Sequence, residues 1–354
     1  MTIAPNLFAG LALQTTCRAI NNLETETLIR QQMSQTIEEL NKLIAGSKIF
    51  IKSFSGLVTK LVVLPEYFLT GFPMGEPIVD WASRACISPD GEEYEKLSKV
   101  AQDNGVYLSG NVYELDDNFP KIYFQTSFII APNGNIILRY RRLISMYSPT
   151  PHDLLERYID LYGEDSLFPV VNTEIGNLAA IASEEILFPE IARALALRGA
   201  EIICHSSSEV GSPSLTPKQV AKRARAYENM TYILSANSAG ITGIDIPSSS
   251  TDGGSMILDY TGRVLAESDT GESMCANAAI DLCSLRSARS RPGMINMLAR
   301  QRLELFASTY SNKQIYPANN MLDGGDYNIP DRQHFESTMN ATIARLLEEG
   351  IISS

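Results

Sequence analysis

Short continuous apolar runs alternate along the chain with segments whose apolar residues recur every three or four positions, the signature of strands interleaved with helices. Phe8 to Gln14 reads as a short buried strand, and Ile29, Met33, Ile37, Leu40 and Ile44 then form one helical stripe that Gly46 is expected to end. Lys60 to Glu66, KLVVLPE, is a buried strand that closes on Pro65 and delivers Glu66 at its end. Tyr94, Leu97, Val100 and Ala101 give a second helical face stopped by Gly105, and Val106 to Val112 returns as strand. Between Tyr123 and Arg141 two strand-like runs flank Asn133-Gly134, a pair that tolerates the positive φ of a tight hairpin. The order then repeats. Leu178 to Ala182 is strand, a helix opens at Pro189 and stops at Gly199, and Glu201 to His205 is strand again. A helix from Pro217 to Asn229, a strand from Tyr232 to Asn237, a hairpin around Thr261-Gly262 and a strand from Ala276 to Asp281 complete the pattern. Such alternation predicts a layered α/β domain. No Pro/Ser-rich linker, repeat or low-complexity block divides it, so the expectation is one domain. From about Arg286 onward helix-like pieces, Ala299 to Phe306 and Phe335 to Leu347, form a tail suited to covering a partner subunit.

Composition narrows the class. With 354 residues, 44% hydrophobic and 20% charged, the chain can build a large core and carries no mark of disorder. Lys plus Arg is 29 against 41 for Asp plus Glu, a formal charge of -12 that repels nucleic acid and anionic lipid, and no basic stripe offsets it. Cys17, Cys86, Cys204, Cys275 and Cys283 are odd in number and include no CxxC pair, which argues against a disulfide framework and a zinc site and for a reduced, cytoplasmic setting. The N-terminal stretch 1–17 has no basic leader, and no apolar run approaches the ~18 residues a membrane span needs. His152, His205 and His334 are the only histidines, too few for a His-rich metal centre or an obvious Ser-His-Asp triad.

Three segments place polar residues directly after apolar strands: LPEYFLTGFP at 64–73, LRYRRLISMY at 138–147 and IASEEILFPE at 181–190. Ligand sites of α/β sheets collect at such strand ends. A carboxylate delivered there is expensive to desolvate, so Glu66 is either a general base or the partner of a cation. Arg141 and Arg142 are candidates for that cation. Ser183, between a strand and a helix, has the outline of a nucleophile elbow without a GxSxG sequence.

Taken together, the three segments resemble the nitrilase superfamily of carbon–nitrogen hydrolases, aliphatic amidases in particular. LPE followed by GF is similar to the family's Glu motif, NGNIILRYRR to its hairpin and YRK triplet, and IASEEILFPEIARALALRGAEII to its nucleophile elbow and following helix. KRARAYENMTYILSANSAG and GGSMILDYTGRVLAES resemble the family's later paired motifs, so the likeness runs in order over residues 8 to 290. It implies a four-layer αββα sandwich, with residues 1–290 forming the nitrilase-like domain and 291–354 an extension packed on it or on a neighbour. It also implies homodimers or larger homo-oligomers, a small-molecule substrate, and neither metal nor organic cofactor.

Residue by residue, the resemblance makes Glu66 the general base. The family's oxyanion-stabilising Lys falls on Arg142 and its Cys nucleophile on Ser183, and both depart from the pattern. A thiol near pKa ~8.5 is readily tuned to a thiolate, whereas a hydroxyl needs a stronger base, and Arg cannot give up a proton. Two functions therefore stand side by side: hydrolysis of a small amide, ureide or nitrile, or a catalytically inactive member that binds a metabolite or acts as a structural partner. Tyr67, Tyr147, Glu184 and Ser207 are candidate substrate contacts, with Phe68 and Met146 beside them. Glu184 or Glu185 is placed to pair with Arg141 or Arg142, Asp153 and Glu156 lie where the family often has a second pocket Glu, and Cys204 reads as core.

Overall fold

The first half of the chain folds as β1 (Leu7–Ala12), α1 (Glu26–Ser55), β2 (Thr59–Val63), α2 (Ile78–Ala85), α3 (Glu92–Asn104), β3 (Tyr107–Leu115), β4 (Tyr123–Ile130) and β5 (Ile136–Arg141). The second half adds α4 (Leu155–Tyr162), β6 (Val171–Thr173), β7 (Gly176–Ala182), α5 (Pro189–Leu197), β8 (Ile202–Ser206), α6 (Pro217–Asn229), β9 (Tyr232–Ala236), β10 (Met256–Leu258), β11 (Val264–Glu267) and β12 (Asn277–Asp281). Helices α7 (Leu282–Ser290), α8 (Glu304–Ser311) and α9 (Arg332–Glu348) follow. This computed structural model describes residues 7–212, 214–324 and 326–353, so the first six residues of the stretch read for a leader lie outside the described residues.

Two six-stranded sheets form, in the orders β12-β1-β2-β3-β4-β5 and β6-β7-β8-β9-β10-β11. Both follow one pattern of strand direction. Three parallel strands, β1 to β3 and β7 to β9, stand at the centre, and antiparallel strands flank them on both sides. The sheets pack face to face, with helices on their outer faces, giving an αββα sandwich. Period-two alternation explains how one strand serves both interfaces. In β2 and the residue after it, Leu61 and Val63 enter the core between the sheets, while Val62 and Leu64 pack under α1 and α3. Gly10 marks a close approach of the sheets, since a Cβ there would lie 2.7 Å from Leu234 Cδ2 of β9.

Helix α1 corrects one sequence expectation. It passes straight through Gly46 because Ser47 and Ile51 continue the buried stripe, and it ends at Gly56, whose φ of 76° lets its N–H reach the Lys52 carbonyl. A second correction concerns the tail: the helix expected over 299–306 lies at Glu304–Ser311. The α6 boundaries match the sequence reading, fixed by a capping box between Thr216 and Gln219 with Pro217 in the first turn.

Candidate active site

The ends of β2 and β8, one from each sheet, are stitched together by hydrogen bonds. Ser206 Oγ donates to the Leu64 carbonyl at 2.8 Å, and the Glu66 N–H donates to the Ser207 carbonyl at 3.1 Å. Glu66 is thereby turned into the seam between the sheets, where it is fully buried. Its two oxygens are both engaged: Oε1 accepts from Arg142 Nη1 at 3.2 Å and Oε2 from Ser208 Oγ at 3.0 Å.

Arg142 follows β5, held in register by its own N–H on the Gln125 carbonyl at 2.9 Å. The guanidinium spends Nε on the Ile144 carbonyl at 2.7 Å, Nη1 on Glu66 and on Gln125 Oε1 at 2.6 Å, and Nη2 on Glu184. Four of its five N–H groups are therefore committed within the protein. Burial opposes its charge, but the carboxylates of Glu66, Glu184 and Glu185 outweigh that and hold the proton more firmly than usual. Tyr67, at a positive φ of 59°, accepts from Gln125 Nε2 at 3.1 Å and stacks on Tyr113. Burial, reinforced by the Glu66 charge, pushes its hydroxyl well above the usual phenol range.

Strand β7 delivers Ser183 in a left-handed backbone conformation, with φ of 51°, before a short 3-10 turn leads into α5. An L-residue other than Gly, Asn or Asp pays strain to sit there, and the surroundings hold it in place. His205 Nε2 lies 2.9 Å from the Ser183 carbonyl, which can only accept, so this nitrogen carries the proton. Burial, aided by the charges of Lys222, Lys218 and Arg142, keeps the ring neutral, and its Nδ1 then accepts from Ser235 Oγ at 2.9 Å. Glu185 ties the turn to the other sheet, accepting from Tyr140 OH at 2.5 Å and from the N–H groups of Leu143 at 2.8 Å and Ala182 at 3.3 Å. Burial raises its carboxyl to about 7. The Ser183 hydroxyl has a neighbour that the sequence did not single out: Lys218 Nζ, from the first turn of α6, at 3.2 Å.

The ends of β2, β5 and β7 thus join Glu66, Arg142 and Glu184 in one network, with the Ser183 hydroxyl next to it in sequence and against Lys218. Residues 29–290 match the carbon-nitrogen hydrolase family. This chain belongs to that family, within the nitrilase superfamily. It is 30% identical over 260 residues to the nitrilase of Pyrococcus abyssi, covering 73% of this chain and 90% of that protein. Its fold is similar to a carbon-nitrogen hydrolase of Helicobacter pylori, with a TM-score of 0.61 at 19% identity over 86% of this chain and 98% of the other. A Nesterenkonia sp. amidase gives a TM-score of 0.55 at 19% identity, with 87% and 98% coverage.

Against that family background, the remaining candidates fall in several places. Glu184 pairs with Arg142, whereas Arg141 turns to Asp116 at 2.5 Å and lies over the ring of Phe124. Ser207 is fully buried, with its N–H on the Ala236 carbonyl and no hydrogen-bond partner for Oγ among the described residues. Tyr147 lies under the Arg332 guanidinium of α9, 4.4 Å from the ring centroid, in a depression of about 290 Å³ shared with Met146, Phe335 and Met339. Asp153 accepts from the N–H and hydroxyl of Thr150, and Glu156 is exposed. Cys204 is buried, its thiol pushed up to about 12 by that burial. Among the described residues no His, Cys, Asp and Glu cluster is placed to hold a metal, and no helix is long and apolar enough to cross a membrane.

Sequence reasoning missed Lys218, Ser208, Gln125 and the part played by His205. Only the capping sequence around Pro217 offered a signal, because it fixes which side chains lie in the first turn of α6.

Proposed function

We propose that this protein hydrolyses the carbon–nitrogen bond of a small amide, ureide or nitrile, with Ser183 as the nucleophile. One observation carries the reading: Ser183 is held at positive φ on a tight turn after a buried strand, with its Oγ accepting from Lys218 Nζ at 3.2 Å. Glu66 and Arg142 form the paired electrostatic frame beneath it, and the backbone N–H following Ser183 is the oxyanion donor. Tyr67 and Glu184, tied to Glu66 through Gln125 and Arg142, are the proposed substrate contacts.

A second reading has its own support. With four of its five N–H groups committed to Glu66, Gln125, Glu184 and the Ile144 carbonyl, Arg142 has little to offer a transition state, which favours a binding protein that has lost turnover. Turnover of a panel of small amides, ureides and nitriles separates the two. Activity in the parent that falls roughly 10²-fold or more with Glu66→Gln, and vanishes with Ser183→Ala, is the hydrolase outcome. Activity confined to the Arg142→Lys/Ser183→Cys double variant is the lost-turnover outcome.

The proposal extends to organisation. Residues 1–290 form the proposed catalytic unit and 291–354 an extension, consistent with Met321 and Phe335 entering the same buried core as the domain. Exposed Met294, Ile295, Leu305 and Phe306 support a homo-oligomer, most simply a dimer. Light scattering that returns a monomer contradicts it. A cytoplasmic setting agrees with the buried thiols of Cys17, Cys86 and Cys204.

A further inference from the structure

Resting on the hydrolase reading, we propose that Lys218 is the catalytic proton carrier for Ser183, a Ser–Lys pair standing in for the family's thiol chemistry. The argument begins with what the other groups cannot do. Glu66 accepts from Arg142 and Ser208, and among the described residues neither of its oxygens is hydrogen-bonded to Ser183 Oγ. His205 points its N–H at the Ser183 carbonyl, with its other nitrogen turned to Ser235, so neither faces the hydroxyl. Glu185 is spent on Tyr140 and two backbone N–H groups. Among the described residues, Lys218 is the titratable side chain that reaches the nucleophile, its Nζ donating to Oγ at 3.2 Å.

Its placement fits that task. The capping box at Thr216 fixes the first turn of α6 and with it the direction of the Lys218 side chain. A helix N-terminus is the end where the backbone dipole opposes a cation, so the position has no stabilising reason to carry a Lys. The charged and titratable groups that interact with it are Lys222, one turn further on and ion-paired to Glu209 at 3.0 Å, and neutral His205, whose Nε2 lies on the Ser183 carbonyl.

The chemistry balances without an outside reactant other than water. The step requires Nζ as the free amine, which takes the Oγ proton as Oγ bonds to the acyl carbon, while the carbonyl electron pair moves onto oxygen. On collapse the C–N bond breaks, and Lys218 gives its proton to the departing nitrogen. Water then attacks the ester, passing a proton to Nζ, and Oγ regains a proton as the C–O bond breaks. An amide and water leave as an acid and an amine.

The test needs no knowledge of the natural substrate. A small alkyl fluorophosphonate is attacked at phosphorus by Oγ with loss of fluoride, and intact-mass and peptide analysis of the full chain report the rate and position of labelling. The expected result is labelling at Ser183 whose rate rises with pH along a single limb. In Lys218→Met that limb is lost and the rate falls roughly 10²- to 10⁴-fold, and Lys218→Arg, which keeps charge but cannot release its proton, is no faster. Wild-type labelling at Ser183 matched by both variants overturns the Lys218 assignment and leaves the nucleophile standing. Rapid labelling in Lys218→Arg alone shows that charge suffices and also overturns it. No label at Ser183 in the wild type sinks the hydrolase reading itself, and this assignment with it.

Discussion

Glu185 shows how a single buried carboxyl serves position more than reaction. It bridges Tyr140 at the end of one sheet to the elbow of the other, and it does so against a desolvation cost that lifts its folded-state value to about 7 from the ordinary 4.5. Folding therefore favours its protonated form. The resulting stability is fully present below pH 4.5 and is lost as pH rises through about 7. The loss amounts to roughly 3 kcal/mol. Glu185→Gln removes this titration. Its stability relative to the parent, from urea midpoints, should rise by about that amount between pH 4.5 and 8, and a pH-independent difference refutes the assignment. Arg142 gives a complementary case. Arg142→Met leaves Glu66 buried with no cation and should cost roughly 3 to 5 kcal/mol by the same measurement.

Glycines in α1 illustrate the element scale, because two of them should respond oppositely to one substitution. Gly46 sits exposed in mid-helix with open space around its Cβ position, so Gly46→Ala should stabilise by about 0.5–1 kcal/mol. Gly56 closes the helix at a φ of 76°, so Gly56→Ala should destabilise by about 1 kcal/mol. Thermal melts of the two variants decide both. The same pair marks how far the sequence could be read. Strands β2, β4, β5 and β7 and helix α6 were legible because apolar runs, Asn133-Gly134 and Thr216-Pro217 are local signals. The length of α1 was not, since a mid-helix Gly costs less than the buried Ile51 beyond it returns. Short helices α2 and α4 escaped because eight residues give too little periodicity. At the site, Glu66, Arg142 and Ser183 were legible as strand-end residues. Lys218 was not, because a Lys on a polar helix face looks like any solvated cation until the turn above it is placed.

At the scale of the whole molecule, the two sheets share a pattern of strand directions and approach closely at Gly10. Gly10→Val drives a methyl into Leu234 and should cost roughly 1–3 kcal/mol, read from the urea midpoint. Its effect on chemistry should be larger than its distance from Ser183 implies. Glu66 rides on one sheet and hangs from Ser207 and Ser208 of the other, so no single layer contains the proposed reaction centre. A centre assembled across a joint fails when the joint slackens. Heated slowly, the protein should lose labelling at Ser183 some degrees before its circular dichroism changes, with the helices and sheets still intact on either side of a hinge that has opened between them.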